Sequence, residues 1–176
     1  MRRTRILFVL TAAAAGLLLL GCSQKEQLVL EPLEKSEINA ETLWLRITEE
    51  NPYTNYEYWP GHEGMQPGQA PHGPYHKVFV NRTLIEALPA ESKTAPHGTL
   101  IVKENYNTDE QLNAITVMAK VKQFAPDDGN WFWANYAPDG TVKVSGQVSS
   151  CIECHAGMKS NDYVIIRPLD APIEEN

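Results

Sequence analysis

The chain has 176 residues, with 22 acidic against 15 basic side chains and a formal net charge of −7. Three arginines (Arg2, Arg3 and Arg5) precede the 15-residue apolar stretch ILFVLTAAAAGLLLL, and cleavage behind it leaves 12 basic residues and a charge of about −10. Such a balance argues against a nucleic-acid binder and against adhesion to anionic lipid by charge.

In chain order, residues 1–21 read as a lipoprotein signal peptide. The charged start and short apolar run fit a signal segment and are too short for a comfortable membrane span. The run ends in Leu19-Leu20-Gly21-Cys22, which resembles the site where bacterial lipoproteins are cleaved and acylated, so Cys22 is the expected lipidation site. Several acyl chains anchor stably where one does not. Ser23 follows instead of aspartate, which favours the outer membrane. The expected location is therefore the periplasmic side of a bacterial membrane. With Cys22 lipidated, only Cys151 and Cys154 remain, so no disulfide framework is available.

Residues 22–37 are polar and read as a tether, leaving 38–176 as one domain. Asn39 is placed to cap a helix over AETLWLRITEE, with Leu43, Ile47 and Trp44 on its apolar stripe. Residues 51–73 carry four prolines and four glycines. A connection this long is expected to be functional or packed. Strands follow at YHKVFVN and GTLIVKENY, with a short helix over RTLIEALPA between them. NAITVMAKVKQF alternates, with Ile115, Val117, Ala119 and Val121 on one face and Thr116, Met118, Lys120 and Lys122 on the other. NWFWANY, the turn Pro138-Asp139-Gly140 and TVKVSGQV make a hairpin signal. The fold class is α+β, mainly an antiparallel sheet with a few helices.

Near the C-terminus lies Cys151-Ile-Glu-Cys154-His155, the spacing that attaches a c-type haem. Two cysteines one helical turn apart reach the two vinyl groups on one porphyrin edge, and the adjacent histidine can ligate the iron from below. A zinc half-site would need two more ligands at matched spacing, and a redox CxxC should open a helix after a buried parallel strand. Neither context is present. One covalent haem c is therefore expected, held by Cys151, Cys154 and His155. Met158 is too close to the motif to reach the opposite side of the iron. Met65 and Met118 could supply a sixth ligand, but a lone methionine on a strand usually packs, so an open sixth position is expected. The alternative is a six-coordinate electron carrier.

GTLIVKENY, NWFWANYAPDGTVKVSGQVSSCIECH and NDYVI resemble the cytochrome P-460 family and the related cytochromes c′-beta, from about His72 to Ile166. The resemblance implies a homodimer of mostly antiparallel β fold. It further implies a five-coordinate c-haem under an apolar distal pocket, acting on or binding hydroxylamine or nitric oxide, with a periplasmic electron acceptor. In members that oxidise hydroxylamine a lysine is cross-linked to the porphyrin. Val102-Lys103-Glu104 matches the segment holding it, so Lys103 is the corresponding residue. A lysine bonds so only as a free amine, and burial would supply that form. Those members also carry a distal glutamate, for which Met118 stands here. No acidic residue occurs between Gln111 and Asp127. Methionine cannot act as a base, so binding of an uncharged ligand is favoured over proton-coupled oxidation.

His62, His72, His76 and His97 have irregular spacing and two lie in Pro-His-Gly turns, which favours turn or solvated roles. His76 or His97 remains available as a proton acceptor. Trp131 and Trp133 share one strand face and are expected to pack. Tyr163 is expected to pack on the proximal side, and Arg167 to pair with a haem propionate.

Overall fold

The computed structural model describes residue 28 and residues 30–173. The signal peptide, Cys22 and most of the tether fall outside the described residues. Among the described residues no helix is long and apolar enough to cross a membrane.

Among the described residues, seven strands form one antiparallel sheet: β1 (Glu57–Tyr58), β2 (Gln66–Pro67), β3 (Tyr75–Val80), β4 (Leu100–Tyr106), β5 (Leu112–Lys120), β6 (Trp131–Tyr136) and β7 (Val142–Gly146). Their spatial order is β1-β3-β4-β5-β6-β7, and β2 also pairs with β3. The α+β expectation holds.

Alternation along the central strands produces two buried faces, not one buried and one wet. Val102, Ile115, Val117, Ala119, Phe132 and Ala134 turn to one side. Helix α1 (Ala40–Leu45) and the wide turn Arg46–Glu50 cover that side with Leu43 and Ile47, both fully buried. Asn39 caps α1 as its sequence suggests. Its side chain accepts the Thr42 N–H, and the Thr42 hydroxyl accepts the Asn39 N–H, satisfying two otherwise orphaned donors. Trp44 lies at the edge of this core, its ring 4.8 Å from that of Tyr136.

Val78, Val80, Ile101, Met118, Trp131 and Trp133 turn to the opposite side. That side is covered by the last part of the chain: helix α3 (Ser149–His155), the turn Ala156–Asn161, and Tyr163, Val164 and Leu169.

The 51–73 connection is packed, as its length suggests: Tyr53, Tyr56 and Trp59 are all buried. The expected helix over RTLIEALPA is shorter, a single turn α2 (Arg82–Ile85). Pro89 disfavours helical backbone at Leu88 and ends it. The β6–β7 turn is where the sequence puts it. Gly140 has φ +87° there, and a Cβ on it would lie 2.7 Å from the Trp44 ring, so only glycine fits.

Lys120 departs most from expectation. It reads as a polar strand residue, yet it is buried and its Nζ lies 2.6 Å from both carboxylate oxygens of buried Asp162. The ammonium also donates to the Gly129 carbonyl and sits 4.8 Å from the centre of the Trp131 ring. A buried lysine is tolerated when paired and fully hydrogen-bonded in this way.

Candidate functional site

α3 carries the cysteines and the histidine of the CxxCH motif on its last turn. Val148, Cys151 and Ile152 pack on the second core, Cys154 is exposed, and both cysteines are free thiols. Burial pushes the Cys151 thiol above its usual range.

His155 turns under α3 onto the sheet. Its ring centre lies 4.7 Å from that of Trp133, and its Nδ1 is 2.8 Å from the Tyr163 carbonyl. A carbonyl only accepts, so Nδ1 carries the proton and the Nε2 lone pair is free for a metal. Metal-ligating histidines are commonly oriented in this way.

The Tyr163 carbonyl is aimed by an unusual backbone. Asp162 and Tyr163 both adopt left-handed conformations, with φ 54° and 64°. Uncommon outside glycine, the pair is held by three bonds to Asp162. Lys120 binds its carboxylate, the Ala95 N–H donates to Oδ2, and Trp131 Nε1 donates to its carbonyl. Tyr163 itself is buried on the His155 side.

The register of the sheet brings further residues to this side. Val78, Lys103, Thr116 and Asn135 are cross-strand partners in one row over β3, β4, β5 and β6. His76 pairs with Asn105 in the next row. Lys103 is half-buried here, and burial lowers its pKa to about 8. Glu104, next in sequence, points through the sheet to the opposite face. There Tyr53 and Tyr106 donate to it at 2.8 and 2.6 Å. The carboxylate beside Lys103 in sequence is therefore not available on the His155 side.

Among the described residues, His76 Nδ1, Trp133 Nε1 and Asn135 Oδ1 are buried without a hydrogen-bond partner, and all three belong to this one face of the sheet. Orphaned buried groups are rare, and three on one face point to an absent polar partner. Val144 pairs with Asn135 on β7 and is an exposed large apolar residue. A large amphiphilic ring with an apolar body and ionised edge groups, attached at Cys151 and Cys154, has the chemistry to meet both. The residues present fit a haem.

A family model described as Cytochrome P460 matches residues 53–166. The chain belongs to the cytochrome P460 family. Membership makes it a haem cytochrome and agrees with the observed antiparallel sheet. Comparison with curated proteins finds no match.

Within this P460 domain, several sequence expectations change. His72 is not merely a turn residue. Its ring centre stands 6.4 Å from that of His155, and burial, Lys103 and His155 lower its pKa to about 4. His76 is also held to about 4, by burial first and by Lys103 and His62 after it. His97 is elsewhere: its Nδ1 accepts the Lys122 N–H, pinning the end of β5. Arg167 donates to the Pro60 and Pro172 carbonyls and closes the loop there, so its guanidinium is committed to backbone. Met118 lies between Ile101 and Trp133 in the sheet and is buried in the second core. Trp131 and Trp133 pack there together, as expected.

Proposed function

We propose that the domain carries one haem c, attached at Cys151 and Cys154 and ligated by His155, and binds or oxidises a small nitrogen species. Hydroxylamine and nitric oxide are the ligands the family resemblance implies. The observation that carries the reading is the His155 hydrogen bond to Tyr163, which leaves Nε2 free beside two free cysteines. The haem supplies one-electron exchange and a binding position for the small ligand. Trp133 limits the rotation of the His155 ring by packing against it. Lys103 faces the site with a pKa of about 8. A larger share of it is therefore the free amine near neutral pH than for an ordinary lysine. That is the form needed for a covalent bond to the porphyrin.

Oxidising hydroxylamine also requires that protons leave, and the expected position near Met118 provides no carboxylate. His72 and His76 are the neutral imidazoles on this side, either of which can accept a proton. The electrons would pass to a periplasmic acceptor. A homodimer anchored through Cys22 to the outer membrane completes the reading.

The direct test is the holoprotein matured with haem c. Covalent haem should survive denaturing electrophoresis and, in a Lys103→Ala background, disappear in Cys151→Ser/Cys154→Ser. A cross-linked ring should give a red-shifted ferrous Soret band that reverts in Lys103→Ala. Hydroxylamine-dependent reduction of an added acceptor tests turnover. Electrophoretic haem retained when both cysteines and Lys103 are replaced would refute the attachment.

A further inference from the structure

Asp162 and Tyr163 hold successive left-handed conformations, with φ 54° and 64°. Aspartate tolerates that region, but a bulky tyrosine there is an outlier that the surrounding structure must enforce. The strain has one visible product. It aims the Tyr163 carbonyl at His155 Nδ1, 2.8 Å away.

Lys120 is at the centre of what enforces it. Its ammonium reaches both carboxylate oxygens of Asp162 and the Gly129 carbonyl, each at 2.6 Å. Gly129 in turn lies against the Tyr163 ring, where a Cβ would stand 2.8 Å from it. The Tyr163 hydroxyl donates to the Asp127 carbonyl at 3.3 Å. The loop between β5 and β6 thus grips both residues of the strained pair, and Lys120 ties that grip to Asp162. Stability alone does not call for this arrangement. Both side chains are buried, and apolar residues of similar volume commonly hold a core as well as a buried ion pair does. A costly pair on a strained segment that ends at His155 points to a positioning role.

We infer that Lys120 and Asp162 are positioning residues for His155, fixing the Tyr163 carbonyl against Nδ1–H and so setting the electron density that Nε2 offers the haem iron. The inference rests on the haem reading above and extends it to two residues that act through His155. A firm Nδ1–H to carbonyl bond raises the basicity of the imidazole, which strengthens its bond to iron and favours the ferric state. The proton stays on Nδ1 throughout, and the pair itself gains and loses no electron.

The test compares the haem-loaded wild type with Asp162→Asn and Lys120→Met/Asp162→Asn by resonance Raman spectroscopy and redox titration. In Asp162→Asn the ferrous iron–histidine stretching band should move to lower frequency and broaden, and the reduction potential should rise. The double variant no longer strands an ammonium, so its urea midpoint should return most of the way to wild type. Its band and potential should stay displaced, because nothing then ties residue 162 to the Gly129 carbonyl. Gly140→Ala, which strains the opposite side of the domain against Trp44, should leave both readings unchanged. A wild-type band in Asp162→Asn overturns the inference. So does a band that recovers together with the urea midpoint in the double variant, or one that moves equally in Gly140→Ala. Either result would make the role of the pair one of stability only. Absence of covalent haem in the wild type would sink the haem reading and this inference with it, whereas haem present with an unmoved band sinks the inference alone.

Discussion

Replacing Asp162 by asparagine tests the buried pair that shapes the backbone behind His155. In the wild type, Lys120 and Asp162 side chains are 9% and 7% exposed and separated by 2.6 Å. Burial lowers the Lys120 pKa despite the opposing charge, so desolvation is the larger influence on that ammonium. Asp162→Asn removes the counter-charge but keeps a residue that tolerates the left-handed backbone. It also keeps an oxygen to accept the Ala95 N–H. What remains is a buried lysine without a partner charge, at a cost of about 3 kcal/mol or more. Lys120→Met has the reverse effect, stranding a carboxylate that retains only the Ala95 donor. Making both changes removes both charges, and the methionine can keep the packing of the lysine stem near Trp131. The double variant should lose only about 1 kcal/mol, giving a coupling of several kcal/mol in the cycle. Urea denaturation of the haem-loaded chain measures it. Slopes of about 1–3 kcal/mol per molar urea make each single change a midpoint shift of at least about 1 M. Additive losses, or a single-variant cost below about 1 kcal/mol, would refute the account of the pair.

Gly73→Ala should lower stability by about 1–3 kcal/mol, because it combines positive φ with a backbone clash. Gly140→Ala meets the Trp44 ring on the opposite side of the domain. It should cost a similar amount in thermal unfolding while leaving the haem spectrum unchanged. Acid should destabilise the protein before its carboxylates titrate. His72 and His76 are held near 4, so between that pH and about 6.5 the unfolded chain binds more protons and stability falls as pH falls. The slope for His72 approaches about 1.4 kcal/mol per pH unit, with less from the more exposed His76. A His72→Gln/His76→Gln variant should flatten the urea midpoint between pH 6.5 and 5, and an unchanged slope would contradict the assignment.

What could be read in the sequence was what depends on local chemistry. The Asn39 cap, the Leu43 and Ile47 stripe, the β6–β7 turn at Gly140 and the alternation of β5 all follow from neighbouring residues alone. Lys103 was singled out through its segment, and the register shows that it and Glu104 diverge to opposite faces. Lys120 was misleading because alternation identifies a face but not what covers it. Its cover is Asp162, forty-two residues later, and no periodicity links the two. His72 was missed for the same reason. A Pro-His-Gly turn ordinarily faces water, and only the contact of Gly73 with Tyr106 carries this one inward. The repeated turn at His97 has the same four residues and ends up capping a strand.

The two sides of the site are therefore fixed by different means. Behind His155, a buried chain of bonds runs from Lys120 through Asp162 to the backbone at Tyr163, whose carbonyl holds the imidazole. His72 sits on a turn seated on the end of β4, with an exposed rim. Cutting the Lys120–Asp162 pair removes a buried contact that the His155 backbone depends on and touches nothing in the His72 turn, so Asp162→Asn should disturb the His155 ring first.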